Sequence, residues 1–120
     1  MVEILPAGPR GTSLDALVVG TSLGKSGCNS GVSSFSAAQD RRIYVCLNIA
    51  RPKAKDQLTI RWKREGKTVQ RYKLTMPKSV ARSRSRAYLA LRSDRLGPWY
   101  VEVYDQDGTK LGSQGFVVTE

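Results

Sequence analysis

The sequence predicts an all-β protein, an immunoglobulin-like antiparallel β-sandwich of about seven strands. Apolar and polar residues alternate with period two in short segments along the chain, the pattern of strands that bury one face. No window of about eleven residues carries an apolar stripe of helical period with caps at its ends. Turn signals recur at intervals of roughly eight to twelve residues, the spacing of a sandwich of short strands. A small barrel is the runner-up architecture.

The elements follow in order. Residues 1–13, which include the Pro- and Gly-rich stretch Leu5 to Ser13, read as a flexible N-terminal segment or linker, and residues 14–120 as one β-sandwich domain. Ala16 to Leu23 is the first strand. A polar loop from Gly24 to Asp40 has Val32 and Phe35 as its substantial apolar anchors. In the strand Arg42 to Ala50, Ile43, Val45, Leu47 and Ile49 share one face, and Tyr44, Cys46 and Asn48 the other. Gln57 to Arg64 and Thr68 to Met76 form a hairpin through Arg64-Glu65-Gly66-Lys67, where Gly66 supplies a positive φ. Parity sends Leu58, Ile60 and Trp62 inward with Tyr72, Leu74 and Met76. From Ser79 to Leu91, Ser83, Ser85, Ala87, Leu89 and Leu91 oppose Arg82, Arg84, Arg86 and Tyr88. After the Gly97-Pro98 turn, Trp99, Val101 and Val103 point inward. Asp107-Gly108 then turns the chain into a last strand, Gln114 to Thr119, with Phe116 and Val118 inward.

A chain of 120 residues is long enough to bury roughly two thirds of its unfolded surface around one core. No apolar run approaches the ~18 to 20 residues that span a bilayer. Met1 to Arg10 lack the charged start and apolar centre of a signal peptide. The expectation is therefore a soluble domain, alone or within a longer protein. Cys28 and Cys46, the chain's two cysteines, fit no zinc spacing. They read as reduced or separately buried, with a disulfide following if the chain matures in an oxidising compartment.

Charge is the unusual property. Seventeen of the twenty Lys and Arg residues lie between Asp40 and Gly97, against Asp56, Glu65 and Asp94. Such a field points to an anionic partner or to a solubility device. Parity turns Arg61, Lys63, Arg71 and Lys73 outward, where like charges opposed across a hairpin repel by a few tenths of a kcal/mol to about one per pair. With Arg82, Arg84, Arg86 and Tyr88 they make the candidate anion- or partner-binding set. The competing reading is a solvated face that keeps edge strands from pairing with other chains. Binders of single-stranded nucleic acid interleave exposed rings with basic residues. Here Trp62 and Tyr72 have core parity and Tyr88 alone shares the arginine side, so nucleic-acid recognition is the minority expectation.

Catalytic signals are weak. Gly20 to Ser26 (GTSLGKS) is one residue short of a phosphate-binding loop between its glycines. Histidine is absent, and no two carboxylates have reason to converge. Asp105 and Asp107 in the Asp-Gln-Asp-Gly stretch suit turn capping. Cys46 has no imidazole to activate it. The chain is expected not to be an enzyme, with no catalytic residues, no metal site and no cofactor.

The C-terminal part carries a family likeness: Gly97-Pro98-Trp99-Tyr100-Val101-Glu102-Val103-Tyr104-Asp105, Asp107-Gly108, Leu111 and Phe116-Val117-Val118. It resembles the DUF2914 family, small bacterial domains of uncharacterised function that end in a Gly-x-Trp-x-Val-x-Val strand, an Asp-Gly turn and a Phe-x-Val strand. Ile60-Arg61-Trp62 and Gly66 match the family's upstream strand and turn. The strand, loop and strand of Ala16 to Ile49 also fit, so the likeness runs over about residues 14 to 119. Two features depart from it. Ile60 stands where the family has His, and Val80 to Arg86 replaces a segment with two tryptophans. The resemblance implies a β-sandwich, often extracytoplasmic or membrane-attached, and lends no catalytic residues.

The function expected is a non-enzymatic interaction module of a bacterial envelope or secreted protein, with a basic face for an acidic protein partner. The alternative is a polyanion-binding domain for nucleic acid, anionic lipid or acidic glycan. Periplasmic or membrane-attached location within a longer chain is expected, the cytoplasm and the oligomeric state staying open.

Overall fold

The structure, a computed structural model, describes residues 2–20, 23–24, 27–28, 34–50, 56–76, 82–91 and 95–120. Within them lie β1 (Val2–Ile4), β2 (Ser13–Gly20), β3 (Leu23–Gly24), β4 (Gly27–Cys28), β5 (Ser34–Ser36), β6 (Arg42–Ala50), β7 (Asp56–Arg64), β8 (Lys67–Met76), β9 (Arg82–Ala90), β10 (Gly97–Tyr104) and β11 (Lys110–Thr119). The larger sheet has the order β1-β11-β10-β7-β8, with β5 also paired to β11; the smaller is β2-β6-β9, and β3-β4 is a short ladder. The fold is the expected immunoglobulin-like β-sandwich.

Alternation explains the core. Ile43, Val45, Leu47 and Ile49 of β6 are buried against Leu58, Ile60 and Trp62 of β7 and Trp99, Val101 and Val103 of β10. Each such side chain contributes roughly 1.5 to 3 kcal/mol by leaving water. Phe116 on β11 is the hub: it stacks on Trp99 at 6.2 Å and meets Trp62 and Phe35 edge-on at 6.0 and 5.7 Å. Parallel pairing of β5 with β11, Phe35 beside Val118, carries Phe35 into that cluster. The expected second loop anchor, Val32, lies outside the described residues.

Several boundaries move. The first long strand starts at Ser13 and ends at Gly20, and the last begins at Lys110. Within the stretch read as a linker, Val2–Ile4 pairs with Gln114 to Gly112, and the Leu5 N–H donates to the Leu111 carbonyl at 3.0 Å. Three alternating residues are too few to announce a strand; the open edge of β11 organises them. The β7–β8 loop has two central residues, with Glu65 at φ 52° and Gly66 at φ 77°, the paired positive angles of a type I′ turn.

Two expectations are corrected. Tyr72, given core parity, is 47 % exposed. It does face the inner side, opposite Ile60, but β8 is the edge of the larger sheet and overhangs the three-stranded one, so nothing described covers it. Leu74 beside it is half-buried, and the side chain of Met76 lies outside the described residues. The leaning toward reduced cysteines also fails: Cys46 is disulfide-bonded, and among the described residues no cysteine is free. The chain's only other cysteine is Cys28, on β4, which packs beside β2 and β6. That proximity follows from a hairpin folding back on β6 and has no trace in the spacing.

Candidate interaction surface

The basic residues divide between two faces. Arg61, Lys63, Arg71 and Lys73 lie on the outer face of the larger sheet, with Arg61 directly opposite Arg71 and Lys73 opposite Thr59. Arg84, Arg86 and Tyr88 lie on the outer face of the smaller sheet and are exposed, while the side chain of Arg82 lies outside the described residues. Parity separates inside from outside, but it does not say to which sheet a strand belongs. The chain crosses from one sheet to the other between β8 and β9, so the set expected as one face looks outward from opposite sides of the sandwich.

On the larger sheet the charge is answered locally. Glu102 of β10 sits opposite Arg61. It receives Lys63 at 2.7 Å, Lys110 at 3.2 Å and the Tyr104 hydroxyl at 3.0 Å. The Arg61 guanidinium lies 4.3 Å over the Tyr104 ring, a cation–π contact that holds it against the sheet. Hydrogen bonding to Glu102 raises the Lys63 pKa above the ordinary lysine value. Burial pushes Glu102 up, but hydrogen bonds from Lys63, Lys110 and Tyr104 outweigh it and hold the carboxyl below the ordinary range. Only Arg71 and Lys73, on the edge strand, stay exposed here.

On the smaller sheet it is not answered. Among the described residues neither Arg84 nor Arg86 has an acidic neighbour in an ion pair. Arg86 stands opposite Cys46, Arg84 opposite Asn48 and Tyr88 opposite Tyr44. The two tyrosine rings meet at 6.1 Å, and Arg42 lies 4.4 Å over Tyr88. A groove of about 480 Å³ opens between β8 and β9, lined by Tyr44, Gln70, Tyr72, Arg86 and Tyr88 with Ala87 and Ala90. Gln70 reaches across it, its Nε2 donating to the Tyr88 carbonyl at 3.0 Å.

Sequence reasoning missed Tyr72, Tyr44, Arg42, Gln70 and Glu102. Glu102 was visible as the one acidic residue on an outward position of β10, next to a hairpin rich in outward cations. Tyr72 was not, because only the unequal width of the sheets exposes it.

The carboxylates elsewhere are structural. Asp56 is buried, and it accepts from Thr12 Oγ1 at 2.6 Å and from the N–H groups of Gln57 and Gln106 at 2.8 and 3.0 Å. It lines a cavity of about 460 Å³ with Arg10, Gln57, Thr75 and Gln106. Asp105 caps its turn, accepting from the N–H groups of Asp107 and Thr109 at 3.0 and 2.8 Å. Asp107 pairs instead with Arg10 at 3.0 Å. Among the described residues no group of three or more His, Cys, Asp or Glu is placed to hold a metal. Of the GTSLGKS stretch, Thr21, Ser22, Lys25 and Ser26 lie outside the described residues.

A family model described as a protein of unknown function, DUF2914, matches residues 55–118, more than half of the chain and the part that carries β7 to β11. The resemblance noted for Ala16 to Ile49 falls outside that match. An immunoglobulin-like protein from Pseudomonas aeruginosa shares the fold, with a TM-score of 0.62 and 13 % identity over 92 % of this chain and 99 % of that one. No curated protein matches the chain.

Proposed function

From the premise that this chain belongs to the DUF2914 family, we propose that it is a non-enzymatic interaction module that holds an acidic protein partner on the outer face of its smaller sheet. The observation that carries this reading is the contrast between the sheets. Lys63 and Lys110 have Glu102 as a counter-charge, whereas Arg84 and Arg86 have none among the described residues. An unanswered arginine pair beside two tyrosine rings in tilted contact suits carboxylate recognition, and a field of one sign speeds encounter with an acidic partner.

A non-enzymatic role is supported by the state of the carboxylates, since Asp56 and Asp105 are occupied in holding turns and loops. The Cys46 disulfide supports an oxidising compartment such as the bacterial periplasm or envelope, where the module is part of a longer chain.

Fluorescence anisotropy with labelled poly-glutamate and with a labelled single-stranded oligonucleotide tests the reading. Poly-glutamate is expected to bind with micromolar affinity at low salt. The Arg84→Glu/Arg86→Glu variant should lose that binding with its thermal unfolding unchanged, and Lys63→Gln should keep it. Oligonucleotide binding tighter than poly-glutamate binding, with a steep log–log dependence on salt, would favour the polyanion alternative and remove the protein-partner reading.

A further inference from the structure

Resting on that reading, we propose that the free edge of β9 takes up an extended acidic segment of the partner as an added strand, completing the smaller sheet opposite β8. The backbone supplies the first argument. Among the described residues β9 is an edge strand whose one neighbour is β6. The hydrogen bond from Gln70 Nε2 to the Tyr88 carbonyl comes from the side away from β6, so that carbonyl points outward. Main-chain direction repeats every second residue along a strand, so the N–H and C=O groups of Arg86 and Arg84 point outward with it. No described residue pairs with them.

The side chains supply the second. Arg84, Arg86 and Tyr88, the residues that offer their main chain, also carry the outer face. A residue paired to Arg86 or Arg84 would set its own side chain directly beside that guanidinium, at the ~4.5 to 5.5 Å of a cross-strand pair. Acidic residues at alternate positions of the segment match this spacing. The intervening residues turn inward, toward the groove where Tyr72 is 47 % exposed and Leu74 is half-buried. Apolar residues there would cover both. Gln70 already holds the Tyr88 carbonyl and sets where the added strand ends.

A second copy of this chain is disfavoured as the occupant, because edge-to-edge pairing of two β9 strands would oppose Arg82, Arg84 and Arg86 to one another. The smaller sheet leaves its β9 edge open while the larger extends to β8, and the charge selects an acidic strand. Strand addition of this kind derives affinity from main-chain bonds and specificity from alternate side chains.

The test uses a fluorescein-labelled peptide of four Glu-Val repeats and two N-methylated analogues. The added strand is taken to run antiparallel to β9, where residues opposite Arg84 and Arg86 form hydrogen-bonded pairs, so the Glu N–H groups face β9 and the Val N–H groups face away. Methylation at Val is expected to leave the dissociation constant within about threefold, and methylation at Glu to raise it at least tenfold, although all three peptides carry the same charge. Tyr72→Ser should weaken the parent peptide several-fold. Equal affinities for the two methylated peptides would overturn strand addition while leaving the acidic-partner reading intact. Failure of both the peptide and poly-glutamate to bind would remove that reading as well. A dimer in sedimentation that the peptide cannot dissociate would place a second copy on the edge and overturn the proposal.

Discussion

Gln70 on the edge of the larger sheet and Tyr88 on the edge of the smaller are joined by a 3.0 Å hydrogen bond from the side-chain amide to the main-chain carbonyl. It ties the sheets together on the side where the sandwich is open. An exposed neutral bond of this kind contributes about 0.5 to 1 kcal/mol. Gln70→Ala is therefore expected to lower the unfolding free energy by that amount, read as a lower urea midpoint with the denaturant slope unchanged. Gln70→Glu should cost more, because it sets a carboxylate oxygen against the carbonyl oxygen that the amide now donates to. An Ala variant as stable as the parent would show that the bond does not hold the edges.

Glu102 makes stability depend on pH in a definite direction. Its carboxyl pKa is held below the ordinary value by Lys63, Lys110 and Tyr104 against the opposing effect of burial. A depressed acid stabilises the fold above its unfolded pKa, and that stabilisation disappears as pH falls through the lower, folded value. Lys63 is raised, so its contribution is full below the ordinary lysine value and is lost as pH rises through the folded one. Glu102→Gln should thus be destabilised by about 1 kcal/mol near neutral pH. The gap from the parent should narrow as both are unfolded at pH values falling below the ordinary glutamate range. A gap that persists in acid would point to packing rather than charge.

The legibility of this chain followed the range of the information. Alternation along a strand is local, and it placed Ile43, Val45, Leu47, Ile49, Trp62, Trp99 and Phe116 in the core. The Arg64 to Lys67 turn was equally local. Which sheet a strand joins is not, and so Arg71 and Arg84, both read outward, were assigned to one face when they belong to two. Tyr72 failed for a related reason: inward means buried only where an opposing strand exists. The Cys46 disulfide and the pairing of Val2–Ile4 with β11 are contacts between segments far apart in sequence, and composition carries no record of them.

Gly8 is fixed by Asp105 rather than by its own conformation. A Cβ built at Gly8 would lie 1.8 Å from Asp105 Oδ2. That carboxylate cannot swing aside freely, because its other oxygen holds the N–H groups of Asp107 and Thr109. Gly8→Ala is expected to cost about 1 to 3 kcal/mol, the range of overpacking, read as a lowered melting temperature. Adding Asp105→Ala should not add a second full penalty, since the clash and the cap involve one side chain. Full additivity would show that the two sites are independent.

Glu65 offers the reverse case, a residue that the fold holds at a cost. The β7–β8 loop needs positive φ at both central positions, and Glu65 occupies the first at 52° with Gly66 following at 77°. Glycine meets this demand freely, but a residue with a Cβ strains in the left-handed region by about 1 to 2 kcal/mol. Asparagine tolerates it best among the non-glycine residues and is favoured before glycine in this turn. Glu65→Asn is expected to stabilise the protein by about 0.5 to 1 kcal/mol, and Glu65→Gly by less because glycine also loosens the unfolded chain. Glu65→Val should destabilise it, as a β-branched side chain fits this conformation worst. Charge alone predicts the opposite sign for the first change, since Glu65 stands between Arg64 and Lys67 and its loss removes an attraction. Urea midpoints in the order Asn, Gly, Glu, Val establish that backbone geometry governs the turn; a parent more stable than the Asn variant would give the turn to electrostatics.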